Sequence, residues 1–246
     1  MLLIEFADAV IHLAGENISA GKWTKSQKKK IIDSRVNSST LLYESIKRAK
    51  NKPNKFISAS AVGYYGSVSK DQVYIESDPP GEDFLAETVI EWEKSVDPIE
   101  KLGLKLNKLR IGVVLSPEGG ALQKMTGPVK MGAGAPLGNG KQWMPWISID
   151  DLSHMFVHLL ENDFPGDVFN AVSPQHINNK DFMKELAKAL GKPFFLPNVP
   201  AFALRLALGE MATIVLEGSR ISSKKILDSG FEFSDPDLAT YLRKIL

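Results

Sequence analysis

The chain of 246 residues carries a formal net charge of +1, with 43% hydrophobic and 24% charged residues. This composition is typical of a globular protein and gives no electrostatic reason to expect nucleic acid or a membrane surface as a partner. The chain contains no cysteine, which excludes disulfides and thiolate chemistry, so we predict a cytoplasmic protein. No segment reaches the roughly 18 apolar residues of a membrane span.

Short apolar strands alternate with amphipathic helices in the first part of the chain. The apolar run from Ala9 to Ala14 ends at Gly15, which predicts a buried strand. Apolar positions three and four residues apart predict a helix over Thr24 to Lys50. Further strands are predicted at KFISASA, over Leu106 to Leu115, and at WISIDD and VFNAV, with a helix after Asp83. Such alternation favours a parallel sheet covered by helices.

The character of the sequence changes after Leu115. Residues 126–142 are rich in glycine and are expected to form a long loop. We consider three interpretations of this loop: a mobile lid, a phosphate nest with Lys141 at its edge, or a surface connection that needs positive φ. From residue 176 onward the sequence predicts short helices, which favours a smaller, mainly helical lobe and a ligand cleft beside it.

The order of several blocks resembles a known family. The blocks are AVIHLAGENI, DSRVNSSTLL, FISASAVGYYG, LRIGVVLSPEGGAL, GNGKQWMPWISIDDL, VFNAVSP and PAFALRLALGEMATIVLEGSRISSKKILDSGF. Together they resemble the extended short-chain dehydrogenase/reductase superfamily, and more closely its nucleoside-diphosphate sugar epimerase-like proteins. The resemblance implies a partial Rossmann-like parallel sheet flanked by helices (residues 1–125 and 143–175), the glycine-rich loop 126–142, and a C-terminal substrate-side lobe (176–246).

The beginning of the chain departs from the family pattern. In the family, a βαβαβ half with a glycine-rich GxxGxxG turn for the dinucleotide pyrophosphate precedes the AVIHLAG strand. Only MLLIEF precedes that strand in this sequence. The chain therefore resembles the family without its first strands, or a fragment of a longer protein. An unpaired edge strand invites self-association, so we expect low stability or a homo-oligomer through this edge.

The resemblance also implies a cofactor and its contacts. It points to NADP or NAD, held along Leu13, Ala14 and Gly15 after the first strand, and along Ser58 and Ala59 in the second. Relatives of this class carry out transient hydride transfer on a bound nicotinamide. The implied substrate is a polar small molecule, with a nucleotide sugar as the candidate.

The catalytic residues of the superfamily are only partly present. Ser60 matches the serine that orients the substrate. The tyrosine and lysine of the Y-x-x-x-K motif are replaced by Phe84 and Thr88, and phenylalanine cannot transfer a proton. Tyr64 and Tyr65 are candidates for acid or base, with Tyr65 preferred, and Asp83, Glu87 or Glu91 could offer a carboxylate. A Gly-Tyr-Tyr-Gly turn is, however, more often a packed corner whose hydroxyl binds backbone.

Five residues are candidates for substrate binding from the position of the family's cleft. Arginine can hold a diphosphate with two hydrogen bonds, and tryptophan can stack on a base or a sugar, although tryptophans are more often core residues. The candidates are Arg110, Lys141, Trp143, Trp146 and Asn170.

Two functions remain open from the sequence. The first is an NAD(P)-dependent epimerase or reductase, and the second is a catalytically silent binding or regulatory module, related to cell division in some relatives. No metal site is predicted, because His154 and His158 lie four residues apart without a third ligand at a suitable spacing.

Overall fold

The computed structural model describes residues 4–67, 71–164 and 166–246. The strands are β1 (Ala9–His12), β2 (Lys55–Ala61), β3 (Val73–Tyr74), β4 (Lys105–Ile111), β5 (Val113–Ser116), β6 (Trp146–Ser148), β7 (Val168–Ala171) and β8 (Arg220–Ile221). The helices are α1 (Lys25–Arg48), α2 (Phe84–Val96), α3 (Gly120–Lys130), α4 (Ile149–Glu161), α5 (Asn179–Ala189), α6 (Ala201–Leu208), α7 (Thr213–Leu216), α8 (Lys224–Asp228) and α9 (Leu238–Ile245). Within these ranges no helix has the length and apolar character needed to cross a bilayer.

In the described part of the chain the central sheet has four strands in the order β1-β2-β4-β7, and all its pairs are parallel. Two short parallel pairs, β5 with β6 and β3 with β8, lie outside it. This architecture confirms the predicted α/β class. Within the described residues β1 pairs only with β2, so β1 lies at the edge of the sheet as expected.

The two faces of the sheet are covered by different helices. Because strand side chains alternate, Phe56 points toward the side of α1 and α2, where it packs with Ile46 and Val96. Its neighbour Ile57 points to the opposite side, where it packs with Met155 of α4. Apolar packing therefore covers both faces of the sheet.

The predicted single strand over Leu106 to Leu115 is interrupted at Gly112. A Cβ atom at this position would lie 2.3 Å from the carbonyl oxygen of Pro145. The same oxygen accepts a hydrogen bond from Val113 N at 2.7 Å, which turns the chain from β4 into the β5–β6 pair. Only glycine permits this close approach of two backbones.

The expectation of a loop over residues 126–142 is wrong at its beginning, because α3 continues to Lys130. Helix α3 buries Leu122, Thr126 and Val129, which lie four and three residues apart and form one face of the helix. The remainder is an irregular connection, partly buried, in which Gly138 and Gly140 have φ values of 58° and 73°. These values agree with the interpretation as a connection that needs positive φ, and the lid and the phosphate nest stay predictions.

The apolar cores cross the boundary predicted at residue 176. Leu122 and Val129 of α3 and Trp146 of β6 pack in one cluster with Phe182 and Tyr241 of the C-terminal helices. The region predicted to be only helical also contributes β8 to a short sheet. The C-terminal lobe is therefore built jointly with the glycine-rich segment that precedes it.

Candidate functional site

Three predicted site residues lie side by side across the sheet. In the β2–β4 register Ser60 is opposite Arg110, and in the β4–β7 register Arg110 is opposite Asn170. All three lie at or next to the carboxyl ends of their strands, and all are almost fully buried. In open parallel sheets this edge is where ligands bind. We refer to Ser60, Arg110 and Asn170 as the polar row.

Glu93 of α2 joins two members of the polar row. Its carboxylate accepts hydrogen bonds from Arg110 Nε at 2.9 Å and Arg110 Nη2 at 3.0 Å, and from Ser60 Oγ at 2.6 Å. Burial works to lower the pKa of Arg110, but the hydrogen bonds and charge of Glu93 outweigh it and raise that pKa. Arg110 is therefore a permanently charged residue with its counter-ion inside the protein.

The expected diphosphate contact by Arg110 is not supported by this geometry. Its Nη1 atom donates to Tyr65 Oη at 3.1 Å and to the carbonyl oxygen of Glu76 at 3.1 Å. The guanidinium carbon lies 3.3 Å from the centre of the Tyr64 ring. Arg110 has an exposed fraction of 3%, so its guanidinium binds residues of the protein and is not presented to a ligand.

Tyr65 is buried in the same network. Its hydroxyl donates to Asn170 Oδ1 at 2.7 Å and accepts the hydrogen bond from Arg110. Burial raises the pKa of Tyr65 to about 12, although the nearby Arg110 acts in the opposite direction. A phenol with this pKa stays protonated at neutral pH. Tyr65 is therefore a packed corner residue, but the expectation that its hydroxyl binds backbone is wrong, because both of its partners are side chains.

Phe84 and Thr88 take no part in the polar row. The Phe84 ring packs edge-on against Trp23 with centroids 4.9 Å apart, and the Lys28 ammonium lies 4.7 Å from its centre. The Thr88 hydroxyl donates to the carbonyl oxygen of Phe84 within the helix at 2.7 Å. Both side chains serve the contact of α2 with its surroundings.

Placing the Y-x-x-x-K motif one residue further along α2 would not restore the missing tyrosine and lysine. The α2 positions that face Gly63, in the turn after β2, are Leu85 and Val89, and both are apolar. Helix α2 contains no tyrosine, and its lysine, Lys94, is exposed and paired with Glu91. The helix therefore offers the site no tyrosine–lysine pair in any register.

The predicted cofactor residues divide into two groups. Leu13, Ala14 and Gly15 are all exposed at the carboxyl end of β1, and Leu13 has an exposed fraction of 61%. Ser58 and Ala59 are buried within β2. Residues 13–15 are therefore open to a ligand at the carboxyl edge of the sheet, whereas Ser58 and Ala59 are not. The given sequence shows no glycine-rich GxxGxxG turn for a pyrophosphate, and the cofactor contact of residues 13–15 stays a prediction.

His12 of β1 is opposite Ser58, two residues before Ser60 of the polar row, and its side chain faces α1. Its Nε2 atom is 3.1 Å from Ser39 Oγ, and its side chain is almost fully buried. Burial lowers the pKa of His12. The ring is therefore a neutral structural group between β1 and α1.

The two candidate tryptophans have different surroundings. Trp146 is fully buried and stacks on Tyr241 with centroids 6.0 Å apart, so the predicted stacking of Trp146 on a substrate is wrong. Trp143 is partly exposed and lies beside Arg220. Lys141 is exposed in the irregular connection, where its backbone N–H donates to Asn139 Oδ1 at 2.8 Å.

Sequence reasoning missed two polar residues that bind the polar row. Glu93 lies in the buried face of α2 with Ala86, Val89 and Val96, and a carboxylate in such a stripe is a signal that could have identified it. Glu76 accepts a hydrogen bond from the backbone N–H of Asn170 at 2.9 Å. It lies in an irregular segment, and no pattern in the sequence marks it.

Comparison with known proteins gives consistent similarities. The model of the NAD dependent epimerase/dehydratase family matches residues 2–171, and a domain of unknown function, DUF1731, matches residues 199–245. The chain is 38% identical to the epimerase family protein YfhF of Bacillus subtilis over 239 residues, which are 97% of this chain and 78% of the relative.

Solved structures show the same likeness. The structure of human epimerase family protein SDR39U1 (isoform 2) with NADPH superposes with a TM-score of 0.90 and 32% identity, over 97% of this chain and 81% of the human one. A nucleoside-diphosphate sugar epimerase from Corynebacterium glutamicum superposes with a TM-score of 0.78 and 27% identity, over 99% of this chain and 47% of that protein.

Proposed function

Because the chain belongs to the NAD dependent epimerase/dehydratase family, we propose that it binds NADPH or NADH and acts as an epimerase or reductase on a polar small molecule. A nucleotide sugar is the candidate substrate. The observation that carries the proposal is the polar row, which lies at the carboxyl edge of the sheet on β2, β4 and β7, and β2 pairs directly with β1. The NADPH in the human relative's structure supports the choice of cofactor.

Different residues of this chain would contact the cofactor and the substrate. A bound nicotinamide supplies hydride transfer. The exposed segment Leu13 to Gly15 would contact its nicotinamide end. Because the Ser60 hydroxyl already donates to Glu93, its oxygen is left to accept a hydrogen bond from a substrate hydroxyl. Asn170 and Arg110 hold the floor of the site rigid, which limits the orientations open to the substrate.

Fluorescence titration with NADPH and NADH tests the cofactor. We expect saturable binding that Leu13→Asp weakens at least about tenfold, since an ionised carboxylate would lie against the nicotinamide. Leu41→Asp is the matched control, because Leu41 is equally exposed (68% against 61%) but lies on α1. A folded chain that binds neither dinucleotide refutes the proposal.

A second candidate function is a catalytically silent binding or regulatory module. It is favoured by the absence of tyrosine from α2 and by the pKa of Tyr65, which is raised by burial to about 12. Cell division is the candidate process for such a module, as the family resemblance implies. Oxidation of NADPH in a screen of nucleotide sugars and small carbonyl compounds, abolished in a folded Ser60→Ala variant, would exclude the silent module.

The edge strand leads to a proposal about assembly. Ile11 of β1 has an exposed fraction of 40%, and an unpaired apolar edge favours pairing with a second copy. We propose a homo-oligomer through β1, to be tested by light scattering over a range of concentrations. A monomer with a sharp cooperative melt would contradict it. The cytoplasmic location stays a prediction.

A further inference from the structure

The segment between β1 and α1 has a buried residue at each end and none between them. His12 and Trp23 have exposed fractions of 2% and 8%, whereas every residue from 13 to 22 is half-buried or exposed. Glu16 is still fixed to α1, because its backbone N–H donates to one side chain of that helix and its carbonyl oxygen accepts from another. Residues 17–22 lie beyond this fixed point, and we call them the strap.

The strap is held mainly by local hydrogen bonds. Asn17 Oδ1 accepts from the backbone N–H and the hydroxyl of Ser19, at 2.8 Å and 3.0 Å. At the end of the strap, Trp23 Nε1 donates to the carbonyl oxygen of Ile18 at 2.8 Å. The position that a Cβ atom on Gly21 would take is surrounded by open space. A segment with so few contacts to the core opens locally with a small free energy.

Two lysine side chains join this region to the C-terminal lobe. Lys124 Nζ of α3, the helix that packs on the C-terminal helices, donates to Ser19 Oγ of the strap at 2.8 Å. Lys28 Nζ, in the first turn of α1, forms an ion pair at 2.5 Å with Glu210 Oε1 in the turn after α6. Because the Lys28 and Glu210 side chains are 25% and 56% exposed, this pair is weak. We call these two interactions the bridging contacts, and both are able to break and re-form.

The bridging contacts join the two sides of the carboxyl edge of the sheet. The strap follows the carboxyl end of β1, whereas α3 follows β5, which continues from β4. Strand β2 lies between β1 and β4, and Ser60 of the polar row is next to its end. A contact from residue 19 to residue 124 therefore connects the two sides of the edge at which Ser60 and the exposed residues 13–15 lie.

We infer that the strap closes over this edge, is held there by the bridging contacts, and opens when a ligand enters or leaves. The inference rests on the proposed function for the identity of the ligand, NADPH or NADH. Lys28 and Lys124 are positioning residues, because they act on the strap and not on the reacting atoms. Since the same contacts hold the strap in the free and in the ligand-bound chain, they slow binding and release alike.

Distance measurement by pulsed electron paramagnetic resonance tests the strap without a ligand. Because the chain contains no cysteine, spin labels can be placed at Gly21→Cys in the strap and at Gln123→Cys on the exposed side of α3, which leaves both bridging contacts intact. We expect one short distance in this labelled chain, and an additional longer distance after Lys124→Met or Lys28→Met. Lys29→Met is the matched control, because the ion pair of Lys29 lies within α1. The same distance distribution in all four chains would overturn the inference.

Stopped-flow binding of NADPH tests whether the strap controls entry. We expect Lys124→Met and Lys28→Met to raise the association and dissociation rate constants together, by about twofold to fivefold, the range for an exposed charged contact, with Kd nearly unchanged. Loss of a positive charge alone would slow the association of an anionic cofactor, and Lys29→Met measures that effect.

The two experiments separate this inference from the proposed function. A longer distance in the Lys124→Met and Lys28→Met variants of a chain that binds neither dinucleotide would support the strap and refute the cofactor proposal. In a chain that binds NADPH, rate constants equal to those of the wild type would overturn the inference. A rise in the dissociation rate constant alone, with weaker binding, would also overturn it, because that result is expected of a lysine that contacts the cofactor directly.

Discussion

Replacement of Glu93 by glutamine tests whether the buried ion pair holds the site together. The side chains of Arg110 and Glu93 are 4% and 10% exposed, and the carboxylate accepts two hydrogen bonds from the guanidinium and one from Ser60. Glutamine has the same shape, but its NH₂ group would face N–H donors of Arg110. Removing one partner of a buried pair costs about 3–5 kcal/mol, because the other charge is left uncompensated.

The measurement is the urea midpoint of each variant, at an unchanged slope of free energy against urea. Glu91→Gln is the control on the same helix, because Glu91 forms an exposed pair with Lys94 at 3.1 Å worth about 0–1 kcal/mol. The double variant with Arg110→Met should recover part of the loss, since it removes the unpaired charge. If the loss in free energy of unfolding in Glu93→Gln is within about 1 kcal/mol of the loss in Glu91→Gln, the polar row does not depend on this ion pair.

Three further changes probe separate contacts. Tyr65→Phe removes a hydroxyl with two buried partners and should cost about 1–3 kcal/mol in urea unfolding. Burial lowers the pKa of His12 in the folded chain, so the unfolded chain binds a proton at this histidine more readily. The contribution of neutral His12 to the free energy of unfolding is therefore fully present above about pH 6.5 and is lost as the pH falls below that value. A series of thermal melts should therefore show a smaller loss on acidification in His12→Gln. Gly112→Ala places a Cβ 2.3 Å from the oxygen of Pro145 and should cost at least about 1–3 kcal/mol, whereas Gly127→Ala, with open space in α3, should stabilise the chain by about 1 kcal/mol.

Each of these expectations has a contrary result. A tyrosinate absorbance that appears below pH 10 in the wild-type chain and is missing in Tyr65→Phe would contradict the raised pKa. An acid-induced loss of stability that is the same with and without His12 would assign it to other groups. Equal effects of the two glycine substitutions would show that the close backbone approach at Gly112 is not tight in solution.

The members of the polar row could be anticipated from the family resemblance together with strand order. The resemblance pointed to Ser60, Arg110 and Asn170, and parallel strands bring their carboxyl ends to one edge. Their roles could not be anticipated in the same way. Whether an arginine presents its charge to a ligand or binds an internal carboxylate depends on Glu93, which lies on a helix that only tertiary packing aligns with the strand.

The errors have a common physical origin in tertiary contacts. Glycine and Pro128 lower the helix propensity of residues 120–130, yet α3 forms because one face packs into the C-terminal core. Trp146 lies in a strand whose residues are all buried, so the short run gave no alternation from which its orientation could be predicted. Tertiary packing also brings together Trp143, His176 and Arg220, and no local sequence pattern predicts contacts between residues so far apart in the chain.

The proton is the point on which the two candidate functions differ. Oxidation of an alcohol to a carbonyl releases a hydroxyl proton, and a neighbouring group must accept it. Tyr65 keeps its own proton at neutral pH, and the Glu93 oxygens already accept three hydrogen bonds. If turnover occurs, neither Tyr65 nor Glu93 is therefore the group that accepts this proton, and the rate should rise with the acidity of the substrate hydroxyl. NADPH binding without turnover across such a substrate series would favour the silent module.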